Sequence, residues 1–204
     1  MSVIATKATR LSRRSNGMEL SSEEFDAVTK WDPAYRYELI HGVVIVSPIP
    51  AEGEARPNDE LAFLLRFYAH QHPSGGVIDA TLPERYVHLA DGSRRRADRV
   101  IWVGVGRLPD YKLDPPTIAI EFVSQSKRDR VRDYETKRRE YRGAGIMEYW
   151  IIDRFRRTMT VSLADGSERV LVEGETYQSQ LLPGFELPLQ TLLRIAGQRG
   201  PFLN

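Results

Sequence analysis

Two carboxylates lie where the sequence predicts buried strands. Glu121 is in the middle of the run 118–124, which is too short for a core helix and therefore predicts a buried strand. Asp98 leads directly into a second apolar segment, 100–103. An ionised carboxylate in such a place is costly unless it is paired with a cation or bound to a metal ion. A metal site is therefore one possibility for both acids, and the alternative is an arginine pair for Asp98 and an ion pair for Glu121.

A lysine is predicted to face the same sheet. Tyr134 and Tyr141 are seven residues apart and share one face of a predicted helix, and Lys137 stands between them at spacings of three and four. The neighbouring arginines fall on the solvated sides of that helix. Lys137 is therefore the cation predicted to point at the sheet. The alternative is that its aliphatic stem packs on the tyrosines while the ammonium reaches solvent.

Two acids and a lysine are the groups that metal-dependent phosphodiester hydrolysis requires. Carboxylate oxygens bind Mg²⁺, with Mn²⁺ as a substitute, and the ion activates a water and neutralises phosphate charge. A lysine beside the metal orients the water and stabilises the crowded phosphate oxygens. Glu38 is a fourth candidate, because it is another acid with apolar neighbours, and an ion pair is its alternative role.

Helix and turn signals predict the elements that position these residues. Ser21 and Glu24 form a capping box that opens a short helix, and 59–70 has helical spacing after a loop over 50–58. Three tight turns predict hairpins, at His41-Gly42, Asp91-Gly92 and Asp165-Gly166. A last short helical segment is predicted after Phe185.

The region around Glu121 predicts a strand, a helix and a second strand. The helix covers 128–142, stops at Gly143-Ala144-Gly145, and is followed by the apolar strand 149–152. A strand–helix–strand connection predicts that the two strands are parallel neighbours. Lys137 then projects from the connecting helix toward the strand that carries Glu121.

Composition predicts one ordinary globular domain. The chain has 204 residues, 41% hydrophobic and 28% charged, with a formal net charge of +1. A flexible basic tail is expected over 1–20 and a single domain over 21–204. The chain has no cysteine and no apolar run of membrane-spanning length, so we expect a soluble cytoplasmic protein without a membrane partner.

Five segments together resemble the Uma family, whose members are predicted nucleases of the restriction-endonuclease-like PD-(D/E)XK superfamily. The segments are Tyr37 to Gly42, Ala97 to Val100, Ile120 to Ser124, the set Asp133, Lys137 and Tyr141, and Gly145 to Asp153. The resemblance covers about Ser21 to Leu193. It implies a mixed α/β (α+β) fold in which helices flank a central mixed sheet with extra hairpins.

The resemblance also implies roles. Asp98 and Glu121 become metal ligands of a Mg²⁺-dependent DNA endonuclease, Lys137 its catalytic lysine and Glu38 an auxiliary acid. The wider superfamily places a lysine two residues after the strand acid, where this chain has Val123, and in the Uma family the lysine usually comes from the helix.

Two further hypotheses remain open from the sequence. One is a catalytically inactive nuclease fold that binds nucleic acid or assembles with other proteins. The other is a histidine-based metalloenzyme, which the sequence disfavours because His70 and His72 lack a third evident ligand. Several arginines are predicted to contact DNA phosphates, with a solvated face as the alternative: Arg94, Arg95, Arg96, Arg128, Arg130 and Arg132. A homodimer is expected by analogy with nucleases that cut two strands.

Overall fold

The computed structural model describes residues 10–124 and 132–197, and the side chains of 132 and 133 are outside that description. The chain forms two compact units. The first contains the described residues up to Ile49 together with Tyr86–Arg96, and the second contains Pro50–Arg85 and the described residues from Ala97 onward. Two strands contribute residues to both units, β5 (Ile78–His88) and β6 (Arg94–Val103). The single domain over 21–204 stays a prediction.

The first unit is built from short strands, one helix and a hairpin. Its elements are β1 (Arg10–Leu11), α1 (Ser22–Asp26), β2 (Lys30–Trp31), β3 (Tyr35–Ile40) and β4 (Val43–Pro48). The predicted capping box is confirmed, because the Ser21 side chain accepts from the Glu24 amide and the Glu24 carboxylate accepts from the Ser21 amide. The predicted hairpin at His41-Gly42 is also confirmed, and both turn residues have positive φ, as a tight turn between twisted strands requires.

Ordered structure begins before residue 20, so the predicted flexible tail is too long. Arg10–Leu11 pairs in parallel with Lys30–Trp31, and Leu11 is fully buried beside Phe25 and Tyr37 in the core of this unit. Leu20 packs against the same cluster, and main-chain hydrogen bonds of Gly17 and Leu20 to the β3–β4 hairpin hold the rest of the stretch. Residues 1–9 of the predicted tail lie outside the described residues.

A mixed sheet forms the centre of the second unit. Its strand order is β10 (Glu168–Val172), β9 (Thr158–Leu163), β8 (Glu148–Asp153), β7 (Ile118–Phe122) and β6, with β5 paired to β6. The predicted parallel pair is confirmed between β7 and β8, and β6–β7, β8–β9 and β9–β10 are antiparallel. The predicted mixed α+β fold with a central mixed sheet is confirmed.

Helices cover both faces of this sheet. The helices are α2 (Glu52–Gln71), α3 (Lys137–Gly143) and α4 (Leu189–Gly197), and a small ribbon joins β11 (Thr176–Gln178) to β12 (Glu186–Pro188). Alternation along a strand sends successive side chains to opposite faces. Ile120 and Phe122 therefore share one core cluster with Leu65 of α2, while Glu121 projects toward α3.

The α2 helix is longer than the sequence predicted. It starts at Glu52, so the loop predicted over 50–58 is wrong for most of its length. Acidic residues in the first turn favour a helix start, and Pro57 near that start removes only one main-chain hydrogen bond. Among the helices that the structure describes, none combines the length and hydropathy needed to cross a membrane.

Candidate active site

Strands β6 and β7 place Asp98 and Glu121 side by side. Arg99 pairs with Ile120 and Val100 with Ala119, and continuing this antiparallel register sets Asp98 opposite Glu121. Residues directly opposite each other project from the same face of a sheet. A hydrogen bond is consistent with this register: the Asp98 Oδ2 atom accepts from the amide of Phe122, the residue after Glu121, at 2.7 Å. Two buried carboxylates therefore share one face of the sheet.

Lys137 reaches this pair from the first turn of α3. Its Nζ atom is 2.7 Å from Glu121 Oε1, and Tyr141, one turn later, donates its hydroxyl to the same oxygen at 3.0 Å. Lys137 is 2% exposed and Glu121 3% exposed, so the ion pair is withdrawn from solvent. The ammonium therefore does not extend to solvent, which was the alternative to its pointing at the sheet.

The preceding turn extends the same contact surface. Tyr134 donates to Asp153 Oδ2 at 3.2 Å, so all three residues of the predicted helix face contact residues of the sheet. Burial and the adjacent Asp153 carboxylate raise the pKa of Tyr134 to about 12, which keeps its hydroxyl a donor at neutral pH. Residues Arg132–Thr136 form a π-helical turn, and the regular helix begins at Lys137.

Asp153 is fully buried at the end of β8 and also organises the turn that follows. Its Oδ1 atom accepts from the amides of Phe155 and Arg156 at 2.9 and 3.0 Å. The residue therefore ties the end of the strand both to this turn and to the helical turn before Lys137. Asp153 was not among the predicted site residues, although an acid directly after the apolar strand 149–152 indicates a buried carboxylate at a strand end.

Asn58 fixes the backbone at the metal-ligand candidate Asp98. Its side-chain amide donates to the Asp98 carbonyl at 2.9 Å, and its Oδ1 atom accepts from Arg99 Nε at 2.7 Å. Asn58 is buried and lies three residues before Leu61 and seven before Leu65, both on the buried face of α2. That spacing puts Asn58 on the buried face of α2, but the predicted helix began at residue 59 and so did not include it.

Arg99 is buried on the opposite face of β6 from Asp98. Its described hydrogen-bond partners are neutral oxygens, Asn58 Oδ1 and, at 3.2 Å, Thr81 Oγ1. Burial is the largest cause that lowers the pKa of Arg99, to about 10. The guanidinium still carries its charge at neutral pH and holds Asn58 in place beside the Asp98 carbonyl.

Glu148 shows how the same sheet buries a carboxylate for structural purposes. It lies at the other end of β8 and accepts hydrogen bonds from Trp150 Nε1, Tyr177 hydroxyl and Ser179 Oγ at 2.8 to 2.9 Å. Burial and the Glu148 charge raise the pKa of Tyr177, which therefore stays a donor. The three described side-chain donors to Glu148 are neutral, unlike the lysine that contacts Glu121.

The fourth acid, Glu38, belongs to the first unit. Its Oε1 atom accepts from the Arg96 amide at 2.9 Å, and its Oε2 atom is 4.0 Å from Arg95 Nη1. The residue is buried, and both arginines belong to the predicted DNA-contacting set. Within this unit Glu38 therefore stabilises the start of β6.

The predicted phosphate-contacting arginines differ in their surroundings. Arg94 forms a multiple hydrogen bond to the Asp26 carboxylate, and Arg95 is buried close to Glu38. Burial lowers the pKa of Arg96, whose guanidinium lies 5.8 Å from the centre of the Tyr86 ring. Arg128 and Arg130 lie outside the described residues, as does the side chain of Arg132.

The donor set at Asp98 and Glu121 fits a magnesium ion. Mg²⁺ is usually held by one or two carboxylates, with waters and substrate phosphates completing its shell. Within 10–124 and 132–197, no group of three or more histidine, aspartate or glutamate side chains is arranged to hold a metal ion. Two carboxylates supplied by neighbouring strands, Asp98 and Glu121, match the usual Mg²⁺ arrangement of one or two carboxylates with waters and substrate phosphates. A histidine-rich centre is not found among these residues.

A mixed sheet flanked by helices thus presents two buried carboxylates beside a helix-borne lysine. Residues 22–190 match the model of the Uma2 family, described as "Putative restriction endonuclease", and the chain belongs to that family. The predicted family is therefore confirmed.

A solved structure shares the fold. It is the crystal structure of a protein described as a putative nuclease belonging to DUF820 from Anabaena variabilis ATCC 29413. The match has a TM-score of 0.66 and 15% sequence identity, and it covers 87% of this chain and 99% of that chain. At this identity the likeness concerns the fold alone. The comparison with curated proteins found no match.

Proposed function

We propose that this chain is a Mg²⁺-dependent endonuclease that hydrolyses phosphodiester bonds of DNA, with Asp98, Glu121 and Lys137 as its active site. One observation carries the proposal: a buried lysine contacts Glu121 at 2.7 Å on the face of the sheet that Asp98 shares. Membership of a family described as restriction endonucleases supports the reaction class.

The two acids are assigned as metal ligands. Asp98 and Glu121 would hold the ion through carboxylate oxygens that neighbouring strands already bring together. A bound Mg²⁺ supplies Lewis acidity toward a phosphate oxygen and toward the attacking water. The Phe122 amide and the Asn58 side chain hold Asp98 at its side chain and its carbonyl, so this acid is positioned before substrate arrives.

Lys137 is assigned the electrostatic role. Its ammonium is a compact point charge that binds crowded phosphate oxygens and orients a water. Its hydrogen bond to Glu121 sets the position of the ammonium, and the Tyr141 hydroxyl holds the same carboxylate oxygen from one turn further along α3. Tyr134 and Asp153 anchor the preceding turn of the helix, which keeps Lys137 in register with the sheet.

The proposal also gives roles to Glu38 and to the predicted phosphate-contacting arginines. Glu38 is assigned as an auxiliary acid, and arginines 94–96, 128, 130 and 132 are assigned to the phosphates of bound DNA. Arg94 would have to leave Asp26 to make such a contact. That exchange carries a cost, because the Arg94 side chain is only 12% exposed and holds Asp26 through a bidentate pair, a geometry stronger than that of an ordinary surface ion pair.

The test is cleavage by the full chain of supercoiled plasmid and of single-stranded DNA in Mg²⁺, in Mn²⁺ and in EDTA. Asp98→Asn, Glu121→Gln and Lys137→Met should each lower the metal-dependent rate by at least about 100-fold. Glu148→Gln is the matched control, because it neutralises an equally buried carboxylate of the same sheet that neutral donors hold. Its rate should stay near that of the native chain.

Two outcomes would overturn the proposal. Metal-dependent cleavage that survives in all three variants would move the active site elsewhere. DNA binding without cleavage, unchanged by EDTA and by Asp98→Asn, would instead establish a nuclease fold that binds nucleic acid without cutting it.

A further inference from the structure

One face of α2 carries residues that the proposed reaction does not use. Five exposed side chains form this face, and we name them the α2 stripe: Asp59, Phe63, Arg66, Phe67 and His70. At 100° per residue they fall within roughly 100° of the helix circumference. The opposite face, with Leu61, Leu65 and Tyr68, is buried in the core of the second unit. The α2 stripe is therefore a separate surface of a helix that is already packed.

Two aromatic side chains dominate the α2 stripe. Phe63 is 54% exposed and Phe67 58% exposed, and their ring centres are 6.0 Å apart. A single exposed apolar residue is ordinary, but two phenylalanines in contact on one helix form an apolar patch. Aromatic residues with an arginine beside them are the side chains that most often dominate protein–protein interfaces.

The order of residues along the α2 stripe is self-complementary. Asp59, Phe63, Arg66 and His70 follow one another at spacings of four, three and four, which is the spacing of a helix–helix seam. Reversing this series places the acid where the histidine was and the aromatic ring where the arginine was. Two antiparallel copies of the helix would thus set Asp59 against His70 and Phe63 against Arg66, each twice.

We propose that the chain forms a homodimer through the α2 stripe, with the α2 helices of two copies antiparallel across a two-fold axis between residues 64 and 65. The order of these side chains selects a second copy of this chain as the occupant, because a closed two-fold interface requires one surface to complement itself. An imidazole N–H of His70 would donate to the Asp59 carboxylate of the partner copy. Phe63 then lies against an arginine, which adds a cation–π contact to apolar burial. Phe67 flanks the seam and covers its edge.

The first experiment measures the oligomeric state of the full chain by sedimentation velocity over a wide concentration range. The native chain should sediment as a dimer, and Phe63→Ser with Phe67→Ser should raise the dissociation constant at least about tenfold. The matched control is Leu108→Ser with Leu113→Ser, which removes two still more exposed apolar side chains of the same unit outside α2. Dimerisation of this control should be unchanged.

A charge exchange tests the antiparallel arrangement itself. Asp59→Arg should weaken the dimer by placing a cation against His70, and adding His70→Asp should restore it. Far-UV circular dichroism confirms that each variant is folded. A native chain that stays monomeric, or a dimer that survives loss of both phenylalanines, would overturn the proposal. Failure of the exchange to restore a dimer that the serine variants abolish would overturn the antiparallel arrangement. None of these results depends on DNA cleavage.

Discussion

Replacing Lys137 alone should lower the free energy of unfolding more than replacing Lys137 and Glu121 together. Lys137 and Glu121 are each almost wholly buried and lie 2.7 Å apart. Lys137→Met keeps the length and apolar stem of the side chain but leaves the carboxylate in the interior without the ammonium. Removing one partner of such a pair costs about 3–5 kcal/mol. At a slope near 2 kcal/mol per M, the urea midpoint should fall by about 1.5–2.5 M.

The double variant removes the reason for that loss. In Glu121→Gln with Lys137→Met, a neutral amide replaces the carboxylate and still accepts the Tyr141 hydroxyl. Replacing both members of a buried pair is often neutral, so the free energy of unfolding should return to within about 1 kcal/mol of the native value. The interaction energy from the double-mutant cycle should therefore exceed about 2 kcal/mol.

An exposed pair of similar geometry is the control for this cycle. Arg107 Nη1 lies 2.6 Å from Asp114, but the arginine side chain is 57% exposed. Arg107→Met should leave the urea midpoint much closer to the native value than Lys137→Met does, because water already solvates much of the arginine side chain. A Lys137→Met protein that unfolds at the native midpoint would contradict the cost assigned to an unpaired Glu121. An equally low free energy of unfolding in the double variant and in Lys137→Met would contradict it too.

Three other properties of the chain are predicted from its contacts. Mg²⁺ at about 100 times its dissociation constant should stabilise the native chain by about 2.7 kcal/mol in thermal unfolding. The double variant Asp98→Asn with Glu121→Gln should show no such stabilisation. An equal stabilisation of both proteins would place the ion elsewhere. Asn58→Ala should cost about 2–4 kcal/mol in urea unfolding, because it removes the hydrogen bonds to the buried Asp98 carbonyl and to Arg99, and a loss below 1 kcal/mol would contradict that role. Burial raises the pKa of Tyr86 to about 12, above its ordinary value near 10, so the folded state holds this proton more tightly and stability falls as pH rises from 10 to 12. The fall in urea midpoint between pH 9 and pH 11 should be smaller in Tyr86→Phe, and an identical fall would exclude this residue as a source.

Local patterns predicted the elements around the site because short-range chemistry determines them. The strand at Glu121, the parallel partner at 149–152 and the stop after Gly143 follow from apolar runs, connection rules and a left-handed glycine at 145. The inward face of α3 followed from a spacing of three and four residues, and the contacts of Tyr134, Lys137 and Tyr141 match it. Such signals depend only on neighbours in sequence.

Long-range partners were not accessible from those signals. Asn58 contacts residues forty positions away, and nothing in its own neighbourhood indicates the strand that it will meet. The same is true of Glu148, whose donors Tyr177 and Ser179 come from a segment about thirty residues later. Strand register decides which distant residues meet, and a pattern of residue types does not determine register across such separations.

A comparison of the two buried glutamates of the sheet supports the role that we propose for Lys137. Glu148 is buried as deeply as Glu121 and is satisfied by an indole, a phenol and a hydroxyl, which have no charge to desolvate. Among the residues that the structure describes, neutral donors alone therefore hold this buried carboxylate. Bringing an ammonium into the interior beside Glu121 adds a desolvation penalty that hydrophobic packing would avoid. A charge held at that cost is useful where a polyanionic substrate and a metal ion must be bound together, and Asp98 on the adjacent strand supplies the second carboxylate that such a site needs.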